Sequence, residues 1–594
     1  MMRNKWQVIF GTSVIVLAVF LRTCHVGDWL HYELDQARDF RIVAAAIEYG
    51  PGELPLQGPK AAGNVVIADA TGALTDKTTL RLGPLFYYIE YVSVLLFGAT
   101  PLGSVVLIVI LSIATVPLVY VFLRRFFYAP LALGLSALVA SSLFFVTYSR
   151  FGWNPNLIPF FMTFFAYSLL RVTDLRDAHR GWWLIVAAGA LAFVGQMHFL
   201  AFIAAPVIGV AYLLWSWRAI SGKHRLPWRF WFVAVALFAL LQVPLALNDW
   251  RTGGENTKAF VAALTQKSEK DTHTLPEKIV RNAANHVKYY WIVITGDQRA
   301  EIPTLSDWDI RCDHSCRVGL WRGAVVILLI AGGKVAWFMA YRRERSLRRR
   351  DFLRMSALWI SVVFALYIPL AYNMAPRFFL LQGVMFVVLF GLFVQMLLRL
   401  RYRGVTVLAW TLIGTAVVAN LFFVWQDFAQ RARAATDASL RIPTDYILKE
   451  KTRMPFTQMQ MIMAHIARRS TETGFPVWLH AQPEFKRAFW ERIDAAGIGR
   501  FGAPTDLSRA YRNGLYFLII RTQSKSTSYV EKIKDHADIV DIEVFGTLTL
   551  YEFTPHDDVI VADNPSLFVK RRDPRFSSSV QKRYLWRQVF DRED

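Results

Sequence analysis

Four acidic residues fall in one short stretch, DWLHYELDQARDFRIVAAAIEYG, at Asp28, Glu33, Asp35 and Asp39. From Asp35 onward, Ala37, Val43, Ala44 and Ile47 can share one face of a helix, which puts Asp35 at its N-terminal end. The helix dipole keeps a carboxylate there ionised. An ionised, oriented carboxylate can take a proton from an acceptor hydroxyl or amine. An ordinary helix cap would use the same residue. Arg38 and Asp39, beside it, are read as substrate contacts. Asp35 and Asp39, four apart, are thin support for a metal site.

The cations that could face an anion lie in separate segments. PLQGPK and TLRLGPLFYYIEY place Lys60 and Arg81 beside rigid Gly-Pro turns. Either could hold a phosphate, and either could simply snorkel to a headgroup. YSRFGWNPNLIPF gathers Arg150, Trp153, Asn154 and Asn156; Trp153 also suits an interface anchor, and Pro155 suits a helix start. Gln196-Met197-His198 closes a tight helical hairpin, where His198 is a ligand contact or a hydrogen-bonded structural group. AYNMAPRFFLLQG sets Arg377 near Tyr372 and next to phenylalanines. A fixed guanidinium beside aromatics suits a phosphate at a membrane surface, although an interfacial arginine would look the same. RCDHSC offers Cys312 and Cys316 for a local disulfide in an oxidising exterior, or a metal site with Asp309 and His314, which is less favoured. No Walker loop, HExxH or GxSxG occurs, which weighs against a nucleotide hydrolase, zinc peptidase or serine hydrolase.

The elements that carry these residues are membrane helices. Of 594 residues, 54% are hydrophobic, 14% aromatic and only 19% charged, and the mean hydropathy is +0.31. Soluble domains carry about 25% charge. Lys+Arg 67 against Asp+Glu 45 gives a net +22, a balance that on a soluble chain would suggest nucleic acid. Here the cations sit mostly in short loops between apolar spans, so topology accounts for them. Three cysteines are too few for a disulfide framework.

The apolar runs are 6–21, 102–123, 131–148, 156–170, 182–199, 200–215, 230–247, 318–341, 353–372, 378–398 and 405–425. That makes about eleven spans, each near the length that crosses a bilayer. The first lacks a small-residue cleavage site, and Arg22 fits poorly before a lipidated Cys24, so it reads as an uncleaved helix with its basic end in the cytoplasm. Pro84 to Thr100 is apolar but short, with Glu90 near its middle. If it does not span, every short basic loop falls on the cytoplasmic face; if it does, all of them move outside. It is therefore expected to lie in the membrane interface.

Three external regions follow: 22–102, 248–317, and everything after 426. The organisation is a membrane part, 1–426, and a soluble extracytoplasmic α/β domain, 427–594. In the latter a helix near Met454 to Arg469 precedes strand-like VWLHA, helix-like EFKRAFWERI and strand-like YFLII. IVDIEVF and TLTLYEF, separated by Gly546, read as a hairpin. The spans are nearly free of charge, which favours chemistry at the outer surface over translocation.

Taken together, LDQARD, LRLGPLFYYIEYVSVLLFG, YSRFGWNPNLIPFF, GQMHF and YNMAPRFF resemble the GT-C membrane glycosyltransferases that use polyprenyl-phosphate sugars. The likeness is to the bacterial branch related to protein O-mannosyltransferases and the lipid A aminoarabinose transferase, and it runs from about Lys5 to Trp425. It implies a polytopic α-helical GT-C-like fold with interfacial helices. It also implies an inverting transferase, a polyprenyl-phosphate-linked donor and an extracytoplasmic acceptor, with no nucleic acid, in a bacterial inner membrane. In that family a first-loop acid is the catalytic base or orients the acceptor, and Asp35 occupies its place. The usual Asp-Glu pair is Asp35-Gln36 here, so only Asp35 carries over. Arg377 resembles the donor-phosphate contact, with Arg150 and His198 as weaker candidates. No acid stands between Tyr148 and Leu157, which favours metal-independent transfer and leaves a divalent cation open. Two other functions remain: a protein that binds or flips a lipid-linked glycan, and an oligosaccharide ligase or polymerase.

Overall fold

The computed structural model describes residues 2–64, 67–68, 74–75, 79–265, 271–298, 304–306, 309–311, 314–443, 445–524, 528–565 and 584–590. The apolar runs all lie on helices. In chain order these are α1 (Met2–Thr23), α2 (Leu34–Tyr49), α3 (Leu85–Phe97), α4 (Pro101–Leu123), α5 (Ala129–Ser141), α6 (Leu143–Tyr148), α7 (Ile158–Val172), α8 (Arg180–Met197) and α9 (Phe199–Trp215). Next come α10 (Trp228–Arg251), α11 (Glu255–Thr265), α12 (Leu275–Thr295), α13 (His314–Arg343), α14 (Leu347–Tyr367), α15 (Gly383–Arg399) and α16 (Arg403–Arg433). Among the described residues, 5 helices are long and apolar enough to cross a membrane by length and composition: α1, α4, α10, α13 and α16. This is a helical membrane protein.

One expected span is broken. The run 131–148 bends at Ser142 between α5 and α6. A break among apolar helices leaves backbone groups that water cannot satisfy. Here Asn420 of α16 accepts from the Leu143 amide at 2.9 Å, and the Ser142 hydroxyl donates to the Val293 carbonyl of α12 at 2.9 Å. The bend points the aromatic end of α6 at the site described below.

The segment Pro84 to Thr100 is a helix, as expected, and one of its faces is sunk into the protein. Leu85, Phe86, Tyr87, Glu90, Ser93 and Val94 are buried, while Val92, Leu95, Leu96 and Phe97 are exposed. Its start is fixed by close backbone approach. A Cβ on Gly58 would fall 2.1 Å from the Gly83 carbonyl oxygen, and one on Gly83 would fall 1.9 Å from Gln196 Oε1. The GPK and LGP turns and the Gln196 hairpin therefore interlock, and only glycine fits there.

The C-terminal elements follow the sequence reading closely. α17 (Phe456–Thr473) and α18 (Pro483–Ala495) accompany a four-stranded sheet. Ala537–Phe545 pairs antiparallel with Leu548–Pro555, which pairs antiparallel with Leu515–Arg521, and Val477–Ala481 runs parallel to that third strand. Met459, Ile462, Phe485, Phe489, Phe517 and Leu550 belong to the same buried cluster as the apolar helices. α18 also packs on α2, and Tyr32 Oη donates to Glu491 Oε2 at 2.6 Å. The C-terminal part is thus seated on the first loop.

Candidate active site

α2 begins with a capping box. Glu33 caps the helix and Gln36 returns the bond, its Oε1 accepting from the Glu33 amide at 3.2 Å. Glu33 fills the capping role that Asp35 could have had, and Asp35 lies in the first turn. Arg38 Nη1 donates to Asp35 at 2.8 Å. The rest of that guanidinium grips Asp39 through Nε at 2.7 Å and Nη2 at 3.0 Å, a two-point contact that fixes its plane. Tyr87 Oη of α3 adds a third bond to Asp39 at 3.0 Å. Asp39 is wholly buried, whereas the Asp35 side chain is 36% exposed. Asp39 and Arg38, expected as substrate contacts, therefore form the mount for Asp35, the one carboxylate of the trio open to a ligand.

Glu90 lies behind this mount. It is 1% exposed, and among the described residues its Oε2 has no hydrogen-bond partner. The other oxygen faces Gly152, where an added Cβ would come within 2.8 Å. Burial, reinforced by the nearby charge of Asp39, pushes its carboxyl well above the usual range, which favours the protonated form. A lone acid in an apolar helix was the available signal in the sequence.

Arg377 lies on a short turn, Pro376–Leu380, before α15. Its guanidinium rests over Trp153, 5.2 Å from the ring centroid, and over Phe378 at 5.4 Å. Among the described residues no carboxylate lies within ion-pair distance of it. Burial holds it below its ordinary value, against the opposing influences of Tyr148 and Asp35. The charge of Asp35 thus reaches Arg377, and the two share one region of the molecule. Trp153 stacks on Tyr148 at 6.4 Å and lies 6.0 Å from Phe151, so the aromatic floor under Arg377 comes from the end of α6.

His198 stands between α8 and α9, with its ring edge-on to Phe378 at 5.0 Å. The Leu200 amide donates to its Nδ1 at 3.2 Å, which leaves the proton on Nε2 as a donor. Burial and the neighbouring Arg377 push it down to about 3. Asn154 is buried and donates to the Met197 carbonyl, tying the Trp153 segment to the His198 hairpin. Tyr372 is half-buried on the turn Ala371–Asn373, which packs against α12.

The other candidate cations have contacts of their own. Arg150 is 5% exposed; it donates to the Leu21 carbonyl at 2.9 Å and the Cys24 carbonyl at 2.7 Å, and it covers Phe428. Its donors satisfy the end of α1, a structural post. Lys60 and Arg81 face each other across a two-stranded ribbon. Arg81 is buried, and its backbone exchanges hydrogen bonds with Asn256 of α11. Asn156 donates to the Phe151 carbonyl at 2.8 Å. Cys312 and the side chains of Cys316, Asp309 and His314 lie outside the described residues.

A group the sequence reading passed over joins the first loop to the segment after α16. Ligand atoms of His31, Glu33 and Glu450 lie within 4.8 Å of one another, a spacing that suits a metal ion. As it stands, His31 Nδ1 is 2.8 Å from Glu450, and Glu450 also pairs with Arg453. Arg453 in turn binds Asp427 at 2.9 Å and Asp445 at 2.5 Å.

The family model described as dolichyl-phosphate-mannose-protein mannosyltransferase matches residues 81–242 of this chain. That stretch holds RLGPLFYYIEY, YSRFGWNPNLIPFF and GQMHF, so the match bears out the GT-C resemblance over it. No curated protein matches. Among solved structures, ArnT from Cupriavidus metallidurans in the apo state is similar at 12% identity and a TM-score of 0.40, covering 93% of this chain and 98% of that one. The same protein bound to undecaprenyl phosphate gives 13% and 0.42, over 92% and 98%. The Archaeoglobus fulgidus oligosaccharyltransferase in complex with zinc and sulfate gives 13% and 0.46, over 92% and 73%. At that level of overlap no residue-by-residue correspondence follows.

Proposed function

We propose that this protein is an inverting glycosyltransferase that moves a sugar from a polyprenyl-phosphate-linked donor to an extracytoplasmic acceptor. The observation that carries the reading is an exposed, mounted carboxylate, Asp35, in the same region as a guanidinium, Arg377, that has no carboxylate within ion-pair distance among the described residues. The match of residues 81–242 to a mannosyltransferase family model supports it. In this reading the donor phosphate sits on Arg377 above Trp153, with the Nε2–H of His198 as a neutral second donor. Asp35 takes the proton of the acceptor hydroxyl or amine as that atom attacks the anomeric carbon from the face opposite the phosphate. The sugar–oxygen bond breaks, its electron pair stays on the phosphate, and polyprenyl phosphate leaves. Arg377 stabilises the charge that develops there. No metal is needed for these steps.

The basic loops support an N-terminus in the cytoplasm, which sets Asp35 and the C-terminal part, from about residue 427, outside; the resemblance to bacterial lipid-phosphate sugar transferases supports an inner-membrane location. The test is a purified-protein assay that offers polyprenyl-phosphate monosaccharide and pyrophosphate-linked oligosaccharide in parallel. New glycosidic product from the monosaccharide donor alone is expected. Product from the oligosaccharide alone would make it a ligase or polymerase. Glycan uptake into vesicles without a new linkage would make it a carrier.

A further inference from the structure

The segment 445–453 belongs to the C-terminal part of the chain yet reaches the aromatic floor under Arg377. It is held from several sides. Asp445 Oδ1 accepts from the Ile447 and Leu448 amides at 2.8 and 3.0 Å, and Gln298 Oε1 accepts from the Tyr446 amide at 2.9 Å. Tyr148 Oη donates to the Ile447 carbonyl at 2.6 Å. Glu450 is gripped by His31 and Arg453. Between these fixed points Lys449 has φ +61°, the left-handed region. A lysine there is strained and persists only where its surroundings impose it.

The result is an exposed ammonium beside the site. Among the described residues, no carboxylate lies in ion-pair range of it. The path to Arg377 is short: Ile447 is bonded to Tyr148, Tyr148 stacks on Trp153, and Trp153 carries the Arg377 guanidinium. The like charge of Arg377 adds to burial in holding Lys449 below its ordinary value. Two cations in one region, neither with a carboxylate in ion-pair range among the described residues and one of them on a strained backbone, form a receptor for an anion.

We infer that Lys449 is a second cation of the donor-phosphate site, so that the C-terminal part of the chain completes the grip on the lipid phosphate begun by Arg377. The inference rests on the reading of Arg377 as the phosphate contact. The phosphate group is the recognised chemistry, and either a polyprenyl phosphate or free phosphate supplies it.

The experiment measures binding of a short-chain polyprenyl phosphate to the full-length protein in detergent. The proteins are wild type, Lys449→Gln, Lys449→Arg, Arg377→Ala and, as a control, Lys451→Gln. Lys449→Gln should weaken binding about tenfold or more at unchanged thermal stability. Lys449→Arg should restore most of it, and Lys451→Gln should leave it unchanged. Polyprenol, which lacks the phosphate, should be indifferent to all four substitutions. Competition by inorganic phosphate, lost in Lys449→Gln, would assign the contact to the phosphate group itself. Wild-type binding by Lys449→Gln while Arg377→Ala is weak would remove Lys449 and leave the donor reading standing. Equal binding by wild type and Arg377→Ala, or none by wild type, would overturn the donor reading and this inference with it. Equal loss of polyprenol binding in Lys449→Gln would assign the effect to loop structure and overturn the inference.

Discussion

Asp35 and Asp39 sit one helical turn apart and share a single guanidinium, that of Arg38, yet one is open and the other is sealed. The sealed acid fixes the arginine, and the arginine aims the open acid. Asp35→Asn keeps the shape and removes the base. Transfer should fall on the order of a hundredfold to ten-thousandfold, with folding intact by thermal melting. Asp39→Ala should behave differently, because it strands Arg38 and Tyr87. Breaking a buried pair of this kind costs about 3–5 kcal/mol, visible as a lower melting temperature. A normal melt for Asp39→Ala would show that the mount is dispensable.

Arg377 should act on the leaving phosphate. Arg377→Ala is expected to lower kcat/KM for the lipid donor by about a hundredfold or more, with the acceptor KM little changed. Donor dependence identical to wild type would return Arg377 to an interfacial anchor.

His198, pushed down to about 3, stays neutral through the working range. Donor binding should therefore show no histidine titration between about pH 5 and pH 8. His198→Gln, which can still donate a hydrogen bond, should bind the donor better than His198→Ala. A binding step near pH 6 that vanishes in His198→Gln would refute the neutral-donor role.

His31 ties the first loop to the C-terminal segment, and its ionisation should tune that tie. Burial alone would lower His31, but the Glu33 and Glu450 carboxylates outweigh burial and raise it. A histidine raised on folding adds stability that is complete below its unfolded value of about 6.5 and is lost as pH rises through its folded value. The difference in melting temperature between wild type and His31→Gln should accordingly be largest under mildly acidic conditions and shrink toward alkaline pH. A gap that grows with pH would reverse the sign of this coupling.

Gly546 turns the C-terminal hairpin with φ +58°, and a Cβ there would lie 2.1 Å from the Ala434 carbonyl oxygen. Thr547 completes the contact by donating its amide to that oxygen at 2.8 Å. Gly546→Ala should cost more than about 1 kcal/mol, since it meets both a disfavoured backbone and a clash. Thermal melting of the variant checks this, and an unchanged melt would mean the hairpin does not seat on the end of α16.

The contrast between α17, α18 and the hairpin on one side, and α3 on the other, shows where sequence reading holds. VWLHA, YFLII and the strands around Gly546 alternate or run apolar over a few residues, and a turn residue ends each of them, so their form was legible. α3 was legible as a helix, but its role was not. Glu90 looked like an obstacle to insertion, and nothing near it in sequence says that Tyr87, three residues earlier, would reach Asp39 on another helix. Arg150 and Arg377 show the same limit. Both are arginines beside aromatics, and only the folded chain brings the carbonyls of Leu21 and Cys24 to one and leaves the other on a bare indole face.

By itself, then, the sequence determined that this is a helical membrane protein with a small sheet toward its C-terminus, and that an acid in the first loop stands at a helix start. Those features follow from apolar period, turn residues and charge bias, all of which act over a few neighbouring residues. The tertiary structure decided that Glu33 rather than Asp35 caps α2, that Asp39 is a mount, that Glu90 is sealed, and that the segment around Lys449 comes to the aromatic floor of Arg377. Each of these depends on contacts between residues far apart in the chain, whose burial and pairing are fixed only when the helices pack.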